Sequence, residues 1–181
     1  MTEPRLGKYV AQKRAAMQAA ATEKPRGDDW RETVEAVCVS DDESGVRKLR
    51  IRDWEFVSDS GPAFGGGSAG PSSPEMLCGV VSTCLTHMYL IGAAHLDVPV
   101  DRVEVRVAAQ NNDARLLGLT TSDPALPFGL RAVVKLEAPE ATPAQLSRLH
   151  RYAEDCPLTA LIRNSNPVVV VTEDQAERLG A

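Results

Sequence analysis

Two cysteines of this 181-residue chain occupy places where a thiol could do chemistry. Cys84 lies in Ser82-Thr83-Cys84-Leu85-Thr86, within a run from Met76 to Leu96 that holds no Asp, Glu, Lys or Arg. Cys156 stands immediately before Pro157. A thiolate is a nucleophile and a metal ligand, whereas a thiol among apolar neighbours is inert packing. Which of the three each cysteine is depends on its surroundings. At helical spacing Cys84 shares a face with Leu77, Val80, Val81, His87, Met88 and Ile91, and such burial raises a thiol pKa. It also lies beyond the first turn, where a helix dipole acts. A reactive Cys84 therefore needs a cationic side chain brought from elsewhere. Pro157 disfavours the helical region at Cys156 and can open a short helix with Cys156 as its N-cap. Unpaired N–H groups there favour a thiolate, against the opposing charges of Glu154 and Asp155. Cys84 with His87 is an i, i+3 pair that could share a metal with Cys156 or His150. No short C-x-x-C or H-x-x-x-H spacing supports it, so no metal is expected. Cys38 and Cys78 read as packing, and His95 as a helix-end residue.

The elements that must carry these residues follow from periodicity. Residues 5–22, with Leu6, Tyr9, Val10, Ala16, Met17 and Ala20, read as an amphipathic helix. Pro25 to Asp29 is a turn cluster that separates it from the rest, giving a 1–27 extension and a 28–181 domain. Thr33 to Val39 alternates as a strand, Asp41 to Gly45 turns it, and Val46 to Val57 gives one long strand or two short ones. Ser58 to Ser73 is dense in Gly, Ser and Pro, a loop length that is usually functional or mobile. Ser72 and Glu75 have capping-box spacing ahead of the apolar run, with Pro74 in the first turn and Asp97-Val98-Pro99 as the stop. The run is long enough to span a bilayer, but Ser82, Thr83, Thr86, His87 and His95 are costly in lipid, so a fully buried helix of a soluble protein is expected. Two strands follow, Arg102–Ala109 and Gly129–Glu137. Then come a helix from Pro143 to Ala153 capped by Thr142, and a buried strand at Val168–Val171. Strands and helices in this order make an α+β fold, not an alternating Rossmann pattern.

Composition narrows the function classes. The chain is 43% hydrophobic and 25% charged, as a globular domain should be. A net charge of −5 and only 4% aromatic residues argue against nucleic-acid binding. The basic excess is confined to the start, where Arg5, Lys8, Lys13, Arg14, Lys24 and Arg26 outnumber the acids. Four scattered cysteines with no leader segment ahead of them point to a reduced, cytoplasmic protein without disulfide staples.

Gly65-Gly66, then Gly70-Pro71-Ser72-Ser73-Pro74-Glu75-Met76-Leu77 leading to Ser82-Thr83-Cys84, and the late Cys156-Pro157-Leu158-Thr159 resemble the signature of the OsmC / organic hydroperoxide resistance family. The resemblance covers roughly residues 33–172 and leaves the N-terminal helix outside. It implies an intertwined homodimer, with two curved antiparallel sheets around central buried helices and thiol sites at the subunit interface. It also implies a thiol peroxidase that needs no metal or flavin. Cys84 would attack a hydroperoxide and Cys156 would resolve the product as a disulfide, which an external dithiol reopens. Peroxidase members add a Glu at the start of the central helix, here Glu75, and an Arg from the early β-region. Arg47 is the first candidate for that arginine, with Arg50 and Arg52 as rivals. Pro74 to Cys84 is one residue shorter than in those members, which resembles the broader OsmC-like branch. The competing expectation is a non-catalytic member binding a small apolar or thiol-containing ligand at the interface. Neither nucleic acid nor membrane is an expected partner.

Overall fold

The computed structural model describes residues 4–164, 168, 170–173 and 175. Its elements are α1 (Gly7–Glu23), β1 (Val37–Ser40), β2 (Arg47–Ile51), β3 (Trp54–Ser58), α2 (Ser73–Leu96), β4 (Arg102–Gln110), β5 (Phe128–Glu137), α3 (Pro143–Ala153) and α4 (Pro157–Arg163). Strands β1, β2 and β3 form one antiparallel sheet in that order, and β4 and β5 form a second. The α+β class is as the element order predicts, and the two small antiparallel sheets are as the family resemblance implies.

The long apolar helix α2 organises the rest. Glu75 accepts from both the N–H and the hydroxyl of Ser72, each at 2.7 Å, which closes the start of the helix. Asp97 ends it in the left-handed conformation at φ 56°, its N–H returning to Ala93 O. Along its buried side Tyr89, Ala93 and Ala94 pack with Val10 of α1, Leu149 and Ala153 of α3, and Val98 and Val100 beyond the helix. α3 approaches so closely at Gly92 that a Cβ there would lie 2.8 Å from Leu149 Cδ1 and from Tyr152 Cδ1. α1 is held on α2 by Arg14, which donates to Ala94 O at 2.7 Å and pairs with Asp97. At its start Arg5 pairs with Glu137 at 2.9 Å.

Four expectations need correction. α2 is long and apolar enough to cross a membrane, and it is not buried all round: Leu77, Gly79, Val80, Thr83 and His87 are exposed in the single chain. β1 starts at Val37, not Thr33, because β2 ends at Ile51 and offers earlier residues no partner strand. Val34 is accordingly 84% exposed. Cys38 is exposed and not packing; it lies opposite Leu49, which pairs in turn with Phe56. Val168, Val170 and Val171 are exposed and form no strand, while Val169 lies outside the described residues. The stretch Val46–Val57 resolves into two strands that turn at Arg52-Asp53, with Arg52 at φ 52°.

Leu149 is fully buried where α1, α2 and α3 meet. Leu149→Ala is expected to cost about 2–5 kcal/mol of unfolding free energy through lost transfer energy and a residual cavity. Urea denaturation followed by circular dichroism checks it, and a loss below about 1 kcal/mol would show that the three helices do not share one core.

Candidate active site

Cys84 sits midway along α2, and Cys156 caps α4. Pro157 produces that cap: Cys156 takes a non-helical ψ of 120°, and its carbonyl accepts from Ala160 N–H at 2.9 Å and from the Thr159 hydroxyl at 2.9 Å. The fold thus brings two residues far apart in sequence to a sulfur–sulfur distance of 3.4 Å. Both are free thiols at hydrogen-bond range, not a disulfide. Cys156 is fully buried, and Cys84 is half-buried.

The wall around the sulfurs is apolar. Val81, Leu85 and Cys156 form its buried centre, with Met88, Val105, Val107, Leu130 and Leu158 packed on it. Of the α2 residues expected on the Cys84 face, Val81 and Met88 belong to this wall. Leu77, Val80 and Ile91 are not part of it, and Val105, Val107 and Leu130 of the β4–β5 sheet and Leu158 of α4 pack there. The inward alternation of Val105 and Val107 was legible as a strand face; that it faces the thiols required the fold.

The pair is electrostatically lopsided. Burial pushes the Cys84 thiol up, and its hydrogen bond with Cys156 pushes it further, against a smaller contribution from Leu158 N–H. Cys156 is also penalised by burial, but the Thr159 N–H, the Cys84 thiol, the Leu158 N–H and the Thr159 hydroxyl together outweigh it and hold Cys156 low. The two therefore titrate as a unit whose single negative charge favours Cys156. Among the described residues no cationic group contributes to Cys84.

The other expected site residues lie apart from the sulfurs. Glu75 is engaged in its own cap, and the Ser72 hydroxyl and N–H hold its carboxyl below the usual range. Arg47 donates to Ser58 Oγ at 3.2 and 3.4 Å. Arg47, Glu75 and Cys78 line one open groove of about 1290 Å³, bounded on its far side by Asn111, Asn112 and Leu116. Within one chain, then, Cys84 and Cys156 are brought together, and Arg47 and Glu75 are not brought to them. Cys78, expected as filler, is a half-buried groove residue. His87 accepts from Lys13 of α1 at 3.2 Å, and partial desolvation of its ring by the packed helices, followed by the lysine charge, lowers its pKa. His95 lies beside the Tyr152 ring, and His150 meets the Tyr89 hydroxyl at 2.8 Å. Among the described residues no three His, Cys, Asp or Glu side chains are grouped as a metal site. The residues missed from sequence are Ser58 and Asp59, buried at the end of β3. An acid directly before a Gly-rich loop rich in free N–H groups was the available signal.

Residues 65–171 match the family model described as OsmC-like protein, and the chain belongs to that family. Its fold is similar to an OsmC-like protein from Mycoplasma pneumoniae (TM-score 0.61, 10% identity, covering 74% of this chain and 89% of that one). It is also similar to an OsmC-like protein of Vibrio cholerae (0.54, 14%, 72% and 93%). A third similar structure is an organic hydroperoxide resistance protein OsmC from Legionella pneumophila (0.52, 13%, 74% and 90%). No curated protein matches the sequence closely enough to count as a relative.

Removing the competing sulfur frees Cys84. In Cys156→Ser the pH midpoint for thiolate formation at Cys84 is expected to fall below its value in the unaltered chain, because the neighbour that claims the negative charge is gone. The rate of iodoacetamide alkylation at Cys84 against pH measures it. A midpoint that stays or rises would contradict the shared-charge description.

Proposed function

We propose that the chain is a thiol-dependent peroxidase that reduces organic hydroperoxides. The observation that carries this is the 3.4 Å approach of a half-buried Cys84 to a fully buried Cys156 inside an apolar wall. Family membership supports it, since a relative of the same fold is an organic hydroperoxide resistance protein. Accessibility divides the roles: an incoming peroxide can reach Cys84, whereas Cys156 is closed off. The Cys84 thiolate attacks the outer peroxide oxygen, the O–O bond breaks, and the alkoxide leaves with a proton as an alcohol. Cys84 becomes a sulfenic acid. The Cys156 sulfur then attacks Cys84 Sγ and expels the sulfenic oxygen as water, leaving a disulfide. The two sulfurs need close by little more than an ångström to reach about 2.05 Å. An external dithiol reopens the bond by exchange, becoming a disulfide itself. The apolar wall favours an alkyl hydroperoxide over hydrogen peroxide. A cytoplasmic setting would keep both thiols reduced between turnovers.

A homodimer completes this reading. Trp54, Phe56 and Ile51 on the first sheet are exposed, as are Leu77 and Val80 on α2 and Leu116, Leu117, Leu119 and Leu126 in the β4–β5 connection. Apolar exposure on that scale marks an interaction surface. Among the described residues no cation reaches Cys84, and an arginine of a second copy, with Arg47 the leading candidate, would supply it. Glu75 would orient that arginine.

The test is hydroperoxide consumption in the presence of a dithiol. The unaltered chain is expected to turn over, and faster with cumene hydroperoxide than with hydrogen peroxide. Cys84→Ser is expected to abolish the reaction, and Cys156→Ser to slow it, since the sulfenic acid must then be reduced by direct attack of the external dithiol. Cys84→Ser at full rate would refute the mechanism. A chain that binds apolar ligands without consuming hydroperoxide would instead be the non-catalytic binder.

A further inference from the structure

Among the described residues the buried polar side chains are Ser58 and Asp59, adjacent at the end of β3 and apart from the thiol pair. Buried polar groups of this kind persist where their hydrogen bonds are all made. Asp59 Oδ1 accepts from Ser60 N–H at 2.7 Å, and Oδ2 accepts from Gly67 N–H at 2.9 Å and Ala69 N–H at 3.0 Å. One carboxylate therefore closes the Gly-rich loop on itself. The backbone passes so close to β3 that a Cβ at Gly66 would lie 2.1 Å from Ser60 O, and one at Gly70 2.4 Å from Val57 O. Ser58 makes the second tie: its hydroxyl donates to Pro71 O at 2.8 Å and accepts from the Arg47 guanidinium. Pro71 leads directly into the Ser72–Glu75 cap. The wall of the groove, Arg47 and the start of α2 are thus fixed to one another by two neighbouring side chains.

We infer that the groove, which shares Val107 with the wall around the thiols, admits the hydroperoxide, and that Asp59 is a positioning residue that, with Ser58 beside it, holds the 60–70 loop and Arg47 in its geometry. The inference rests on the peroxidase reading for its functional half, and on hydrogen bonding for its structural half. Asp59 touches neither sulfur.

Asp59→Asn is nearly isosteric, but its amide cannot satisfy all three N–H donors. Gly67 and Ala69 amides are expected to exchange with deuterium at least about tenfold faster, from the loss of charged-acceptor hydrogen bonds. Val81 and Ala93 amides on α2 should be unchanged. With cumene hydroperoxide, KM is expected to rise about tenfold at nearly unchanged kcat, because the entry geometry is lost while the thiols are intact. A merely structural role would lower kcat with the folded fraction and leave KM alone. Ser58→Ala should raise KM with Gly67 and Ala69 still protected. Protected Gly67 and Ala69 amides in Asp59→Asn would overturn the inference, as would unchanged KM. An unaltered chain that consumes no hydroperoxide ends the peroxidase reading and the functional half together. Exchange at Gly67 and Ala69 then still decides whether Asp59 holds the loop.

Discussion

The site depends on how Cys156 is seated. Pro157 forces a break after α3, Cys156 caps the short helix that follows, and its sulfur is turned inward against α2. That one placement fixes the distance between the thiols, closes Cys156 from solvent and gives it the Leu158 and Thr159 N–H groups. Cys84 gains a partner and loses acidity in the same step. In the proposed reaction the buried sulfur would join the accessible one, and a cation from a second copy would offset the burial that raises the Cys84 pKa.

Much of the site was legible in the sequence. Ser72, Pro74 and Glu75 announce the start of α2, and Pro157 announces the cap at Cys156, because capping and proline restrictions are local effects. The strands β4 and β5 follow from simple alternation. What was not legible depends on partners distant in the chain. Nothing in Leu77 or Ile91 says that α2 turns them away from the thiols, and nothing in Val105 or Val107 says that they replace them. Val34 alternates as well as any strand residue, yet β2 is too short to pair with it. Arg47 was chosen for its position after a turn. Its hydrogen bonds to Ser58 need the β2–β3 register, which pairs the two directly.

The first sheet and the exposed face of α2 share a property: both are apolar and unsatisfied within one chain. Trp54 is 65% exposed, and among the described residues no cation reaches Cys84; the proposed homodimer would answer both. The groove that Arg47, Glu75 and Cys78 line would lie at that interface in the proposed dimer. Dimerisation would then be part of the chemistry as well as of stability, and the acidity of Cys84 would follow the oligomeric state.

The most direct measurement is intact and peptide mass spectrometry of the reduced protein after one equivalent of cumene hydroperoxide. A loss of two hydrogens, mapped to a Cys84–Cys156 disulfide and formed in proportion to the peroxide added, is the expected result. Stable oxygen addition at Cys84 without a cross-link, or a disulfide through Cys38 or Cys78, would contradict it.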